Sequence, residues 1–68
     1  MDTERESITR EVGSRIRYAR KSRGMSMEEL AQAIYKTRSA ISKYENGQIS
    51  VDIATLYDIA NALKVQHL

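Results

Sequence analysis

Sixty-eight residues make one small domain, and a chain this short buries only about 60% of the surface it exposes when unfolded, so its core is modest and a partner subunit would support it. It has no cysteine, which excludes a disulfide framework and a thiolate metal site, and no apolar run reaches the length of a membrane span or a secretory signal core, so it reads as soluble and cytoplasmic. Eleven Lys and Arg against nine Asp and Glu is a balance that says little until it is mapped. Between Arg15 and Gln48 the bases are Arg15, Arg17, Arg20, Lys21, Arg23, Lys36, Arg38 and Lys43, opposed only by Glu28, Glu29 and Glu45. The acidic counterweight lies at both ends, and a basic middle of this kind suits a polyanion.

Residues 1–11 come first. Thr3 with Glu6 is a candidate capping box, and Ile8, Val12, Ile16 and Ala19 continue one stripe at near-helical spacing, so a helix can begin as early as Glu4. The alternative for residues 1–11 is a solvated arm. Gly13 costs a helix about 1 kcal/mol relative to Ala and slightly favours a break there. From Gly13 to Arg23 the pattern is helical and stops at Gly24. Val12, Ile16 and Ala19 face inward, Tyr18 lies at the border, and Arg15, Arg17, Lys21 and Arg23 face solvent.

Ser26 and Glu29 form a second capping box, opening a helix whose inner face is Leu30, Ala31 and Ile34; Met25 and Met27 read as packing residues. Thr37 caps a third helix. There Ala40, Ile41 and Tyr44 fall at i, i+1 and i+4 and face inward, leaving Arg38, Ser39, Ser42 and Lys43 on the opposite side. Gly47 ends that helix in the left-handed conformation. Asp52 caps a last helix to about Leu63, with Ile53, Leu56, Ile59, Ala60 and Leu63 as its buried stripe. No nucleophile has a base partner, and neither a metal-ligand cluster nor a phosphate-cradling glycine loop is present, so the pattern points to no enzyme, metal, cofactor or small-molecule ligand. His67 is too isolated to be a ligand or a base.

Four words occur in one order and spacing: VGSRIRYARKSRG from Val12, EELAQ from Glu28, ISKYENG from Ile41 and ATLYDIANAL from Ala54. In this the chain resembles the Cro/repressor class of helix-turn-helix domains, the lambda repressor-like or XRE family, from Val12 to Leu63. The resemblance implies an all-α fold, a compact bundle of four to five short helices, with residues 1–11 as an N-terminal extension and residues 12–68 as the DNA-binding domain. It further implies sequence-specific binding of double-stranded DNA by a bacterial or phage regulator at the nucleoid, acting as a homodimer on an inverted repeat.

The same resemblance assigns roles. Arg38, Ser39, Ser42 and Lys43 would meet base edges, where an Arg fork suits guanine O6 and N7 and a Ser hydroxyl suits either kind of base. Met27, Glu28, Thr37, Asn46, Gly47 and Gln48 would meet phosphates, the last three through exposed backbone N–H groups. Arg20 would pair with Glu45 to fix the angle of the third helix. Tyr57, Val65 and Leu68 lie where relatives pair subunits. Because the chain stops where the family's fifth helix would start, a missing fifth helix or C-terminal domain is expected.

Two positions depart from the family. Met27 stands where a glutamine amide usually anchors a phosphate, and a thioether donates no hydrogen bond. Tyr35 stands at the turn glycine, so either a tyrosine takes positive φ or the turn takes another path. The first departure favours an alternative function, a protein-binding adaptor or antitoxin-type module of the same fold.

Overall fold

The computed structural model describes residues 3–66 and 68 and contains four helices: α1 (Glu4–Ser22), α2 (Met27–Ala33), α3 (Arg38–Glu45) and α4 (Ile53–Leu63). The expectation about His67 lies outside the described residues. There is no strand among the described residues, and the fold is all-α.

Local chemistry sets every helix start. Thr3, Ser26, Thr37 and Asp52 are extended N-caps whose side-chain oxygens accept from the third helical residue's N–H, at Glu6, Glu29, Ala40 and Thr55. Thr3–Glu6 and Ser26–Glu29 are complete capping boxes, since each glutamate also accepts the N–H of its cap residue. Cap bonding holds these carboxyls below the usual carboxylate range. The N-cap backbone bond is the largest cause for Glu6 and Glu29, and the Thr55 side chain for Asp52.

The ends follow one rule as well. Each helix closes in a Schellman motif, with paired bonds running back to its last turn: Met25 N–H to Arg20 O, Lys36 to Ala31, Gln48 to Lys43 and Val65 to Ala60, at 2.9–3.1 Å. The left-handed residues at these ends are Gly24, Tyr35, Gly47 and Lys64. Tyr35 therefore takes the glycine's conformation, with φ +59, rather than rerouting the turn. It is 96% exposed, so no packing of its ring offsets the cost of that conformation.

The core is one cluster in which Ile16 from α1, Leu30, Ala31 and Ile34 from α2 and its end, Ile41 and Tyr44 from α3, and Ile59 and Leu63 from α4 meet. α3 packs on both α1 and α2, and α4 closes the other side against α2 and α1.

Several expectations need correction. α1 runs unbroken through Gly13, which is buried because α3 crosses there: a Cβ at Gly13 would overlap the carbonyl oxygen of Tyr44 and lie 2.8 Å from that of Glu45. The glycine serves close approach, not a break. Ile53 is not in the buried stripe of α4; it is 87% exposed, while Thr55 takes a buried place in the first turn. Leu56 and Ala60 are half-buried, Ile8 is exposed, and Tyr18 at 77% exposure lies beyond the border. Arg17 does not simply face solvent, for reasons that belong to α3.

Candidate nucleic-acid interface

The position of α3 is set from behind by a buried ion pair. The Arg20 Nε donates to Glu45 Oε2 at 2.6 Å and its Nη2 to Oε1 at 3.0 Å, with the side chains only 7% and 0% exposed. The third arm of the guanidinium donates to the Met25 carbonyl at 2.8 Å. No buried side-chain nitrogen or oxygen lacks a partner among the described residues. Hydrogen bonding to Glu45 raises the Arg20 pKa against the opposing effect of burial, so Arg20 keeps its charge.

In front, Arg38, Ser39 and Lys43 are exposed and Ser42 is half-buried, all opposite the inward Ile41, Tyr44 and Glu45. Thr37 is exposed, with its hydroxyl committed to the Ala40 N–H. At the start of α2, Glu28 is exposed, whereas Met27 is half-buried and packs on the core. That thioether fills a gap and offers the surface little.

The C-terminal end of α3 differs from expectation. The Asn46, Gly47 and Gln48 N–H groups are not exposed donors; they are bonded to the carbonyls of Ser42, Tyr44 and Lys43 at 3.0, 3.2 and 2.9 Å. Left-handed Gly47 folds the chain back onto its own helix, and the orphan carbonyls of the last turn take the donors a phosphate would have used. What remains outward here is the exposed Gln48 side chain.

Sequence reasoning missed Arg17. Its Nε donates to Glu45 Oε1 at 3.3 Å and its Nη2 to Asn46 Oδ1, while Asn46 Nδ2 donates to Ser42 Oγ at 3.3 Å. The signal was available, because residues three apart share a helix face and Arg17 precedes Arg20 by three. The α1 extension takes the helical alternative expected from Thr3 and Glu6, but its contacts were not foreseen: Thr9 and Ser50 hydroxyls meet at 3.2 Å and Arg10 lies against Gly47.

The remaining residues do not gather in one place. Val65 and Leu68 are half-buried and line a groove with Ser14, Tyr18 and Arg23, and the Arg15 guanidinium reaches the Leu68 carbonyl at 3.5 Å. Tyr57 is exposed on α4 and is not among that groove's walls. Among the described residues no group of His, Asp and Glu is arranged to hold a metal ion, and no helix is long and apolar enough to cross a membrane.

Comparison with known proteins places these features in context. The model of a family described as "Helix-turn-helix" matches residues 16–68. A transcriptional regulator from the ATPase CF(0) region of Rhodospirillum rubrum is 41% identical over 54 residues, or 79% of this chain and 50% of that protein. An HTH-type transcriptional regulator of Sinorhizobium medicae is 43% identical over 54 residues, 79% of this chain and 39% of that one. The chain thus spans half or less of the length of these relatives. Among solved structures, the restriction-modification controller protein C.AhdI from Aeromonas hydrophila superposes with a TM-score of 0.88 at 28% identity, covering 94% of this chain and 93% of its own.

Proposed function

Because the chain belongs to the helix-turn-helix family of DNA-binding transcriptional regulators, we propose that it is a sequence-specific repressor that binds an inverted-repeat operator as a homodimer, with α3 in the major groove. The observation that carries this reading is the two-sided character of α3. Its back is fixed by the buried Arg20–Glu45 pair, and its front offers Arg38, Ser39, Ser42 and Lys43 as a polar, basic face. Arg38 is assigned to a guanine, Ser39 and Ser42 to base edges, and Lys43 to guanine or phosphate. Phosphate neutralisation supplies affinity, with the exposed Gln48 side chain and the first turn of α2 near Glu28 as further contacts. The assignment of Tyr57, Val65 and Leu68 to subunit pairing belongs to the same proposal.

Selection of bound sequences from a random duplex pool at near-physiological salt tests it. The expected product is an inverted repeat whose half-sites are about one turn, roughly 34 Å, apart. A single enriched half-site would remove the dimer from the proposal, and a folded chain that enriches nothing would remove sequence recognition.

Met27 supports a second reading, a protein-binding adaptor, because its side chain packs on the core where a phosphate-binding amide would serve a DNA reader. The two readings separate on the salt dependence of binding to random duplex. A slope of about −0.9 per phosphate contacted, over several contacts, belongs to a DNA reader. A flat response belongs to the adaptor.

A further inference from the structure

The chemistry of Arg17 decides how Asn46 stands. A guanidinium has five N–H donors and no acceptor, so the Asn46 atom facing Arg17 Nη2 is the carbonyl oxygen Oδ1, and the amide cannot turn over without setting donor against donor. The other end of the amide, the donor Nδ2, then faces Ser42 Oγ at 3.3 Å. A serine hydroxyl has one proton and two lone pairs. Once Nδ2 takes one lone pair, the hydroxyl proton and the second lone pair are left facing away from Asn46, and no second side-chain partner receives the proton among the described residues. Arg17 is itself held in place by its Nε bond to Glu45, which Arg20 anchors in the interior.

We propose that Arg17 is a positioning residue that acts through Asn46 to hold the Ser42 hydroxyl as a hydrogen-bond donor toward DNA, so that Ser42 selects a base edge that accepts. This rests on the reading above that the outer face of α3 meets bases. The acceptor edges in the major groove are guanine O6 and N7, thymine O4 and adenine N7; cytosine presents only its N4 donor, which the second lone pair could accept but which leaves the hydroxyl proton unpaired, so cytosine is disfavoured. Were the amide free to flip, its carbonyl oxygen could take the Ser42 proton inward, and the serine would accept or donate with equal ease and discriminate weakly. Arg17 forbids that flip, so the proton stays outward and needs an acceptor, without Arg17 touching the duplex.

The chain of donors can be reversed without breaking it. In Asn46→Asp the carboxylate accepts from Arg17 and, on its other oxygen, from the Ser42 hydroxyl. The proton of Ser42 now points inward and its lone pairs outward. Ser42 should then favour cytosine N4 or adenine N6, which donate.

The test is sequence selection from a random duplex pool with the whole chain and the variants Ser42→Ala, Asn46→Asp, Arg17→Met and Arg17→Lys, each melted first. Ser42→Ala identifies the base pair that Ser42 reads, as the position where preference flattens. At that position the unsubstituted chain is expected to disfavour cytosine by roughly two- to tenfold, the worth of one hydrogen bond. Asn46→Asp is expected to move the preference to cytosine or adenine there, with weaker binding to every sequence from the added negative charge. Arg17→Met is expected to match Ser42→Ala at that position and leave the others unchanged, while Arg17→Lys, also a pure donor, retains the preference. An Asn46→Asp protein that melts normally and chooses the same base overturns the inference. So does a Ser42→Ala profile with no altered position. If Asn46→Asp does not fold, Arg17→Met against Arg17→Lys decides, and equal profiles for those two overturn it. A chain that enriches no sequence at all overturns the DNA-reading assignment itself, a result separate from an enriched site whose profile ignores Asn46.

Discussion

The carbonyl oxygen of Tyr44 occupies the space into which a side chain on Gly13 would grow. Gly13→Ala should therefore lose stability even though it lies mid-helix. The alanine gains about 1 kcal/mol of helix propensity. Against it stands an overpacking cost of roughly 1–3 kcal/mol, toward the upper end here because the obstacles are backbone atoms of α3 that no rotamer change can move. A net loss of about 1–2 kcal/mol in urea unfolding is expected. A gain of about 1 kcal/mol would mean that α1 and α3 do not approach this closely.

Removing one member of the buried pair should be among the most damaging single changes. Arg20→Met strands Glu45 with only Arg17 beside it, and Glu45→Leu strands Arg20; each should cost roughly 3–5 kcal/mol. Arg20→Met with Glu45→Leu removes both charges together and should recover much of the loss. A double-mutant cycle measures this directly, and additive single losses would mean that the pair is not coupled.

Tyr35 and Gly47 occupy the same backbone region and should answer oppositely to exchange of glycine and side chain. A side chain at positive φ costs roughly 1–2 kcal/mol, and glycine gives back roughly 0.5–1 kcal/mol through its freer unfolded state. Tyr35→Gly should thus be neutral or stabilise by up to about 1 kcal/mol, since the exposed ring packs on little. Gly47→Ala meets the same backbone cost and also the Arg10 Cα at 3.0 Å, so a loss of about 1–3 kcal/mol is expected. Paired thermal melts check both, and a stable Gly47→Ala would separate α1 from the end of α3.

The capping carboxylates give the stability a direction in pH. Glu6, Glu29 and Asp52 titrate below their unfolded values, so on acidification the unfolded chain takes up protons first. Their contribution is complete above the unfolded carboxylate range and is lost as pH falls through the lower folded values. The urea midpoint should hold from pH 7 to about 5 and decline below about 4. With Glu6→Gln, Glu29→Gln and Asp52→Asn combined, the decline should be shallower. An equal decline would assign it to other groups.

Arg38→Ala should cost roughly 1–3 kcal/mol at the selected site and relax choice at one base position, whereas Lys43→Ala, if its partner is a phosphate, should weaken all sequences and reduce the salt slope by about one. Titrations at two salt concentrations distinguish them. An unchanged site profile for Arg38→Ala would remove it from base reading.

Helix starts were legible in the sequence because a cap is a short-range contract between two residues three apart, and Thr3, Ser26, Thr37 and Asp52 all state it. Two of the ends, at Gly24 and Gly47, were legible for the same reason. Lys64 was not, since nothing about a lysine announces a left-handed residue. Gly13 and Ile53 were misread because their surroundings come from other elements. The crossing of α3 decides the first, and the way α4 turns its first residues decides the second, with Thr55 rather than Ile53 facing inward. In the site, the outward set Arg38, Ser39, Ser42 and Lys43 followed from period alone. The engagement of Asn46, Gly47 and Gln48 N–H groups did not, because it depends on how the loop folds back.

The family match begins at Ile16, yet α1 begins three turns earlier, and those turns lie on the loop that follows α3 through Thr9–Ser50 and Arg10–Gly47. A fragment cut at the family boundary would keep every residue proposed to meet DNA and lose the strut that packs against the far end of α3. The packed unit is thus wider than its sequence signature, and the early turns of α1 share in holding α3 in place.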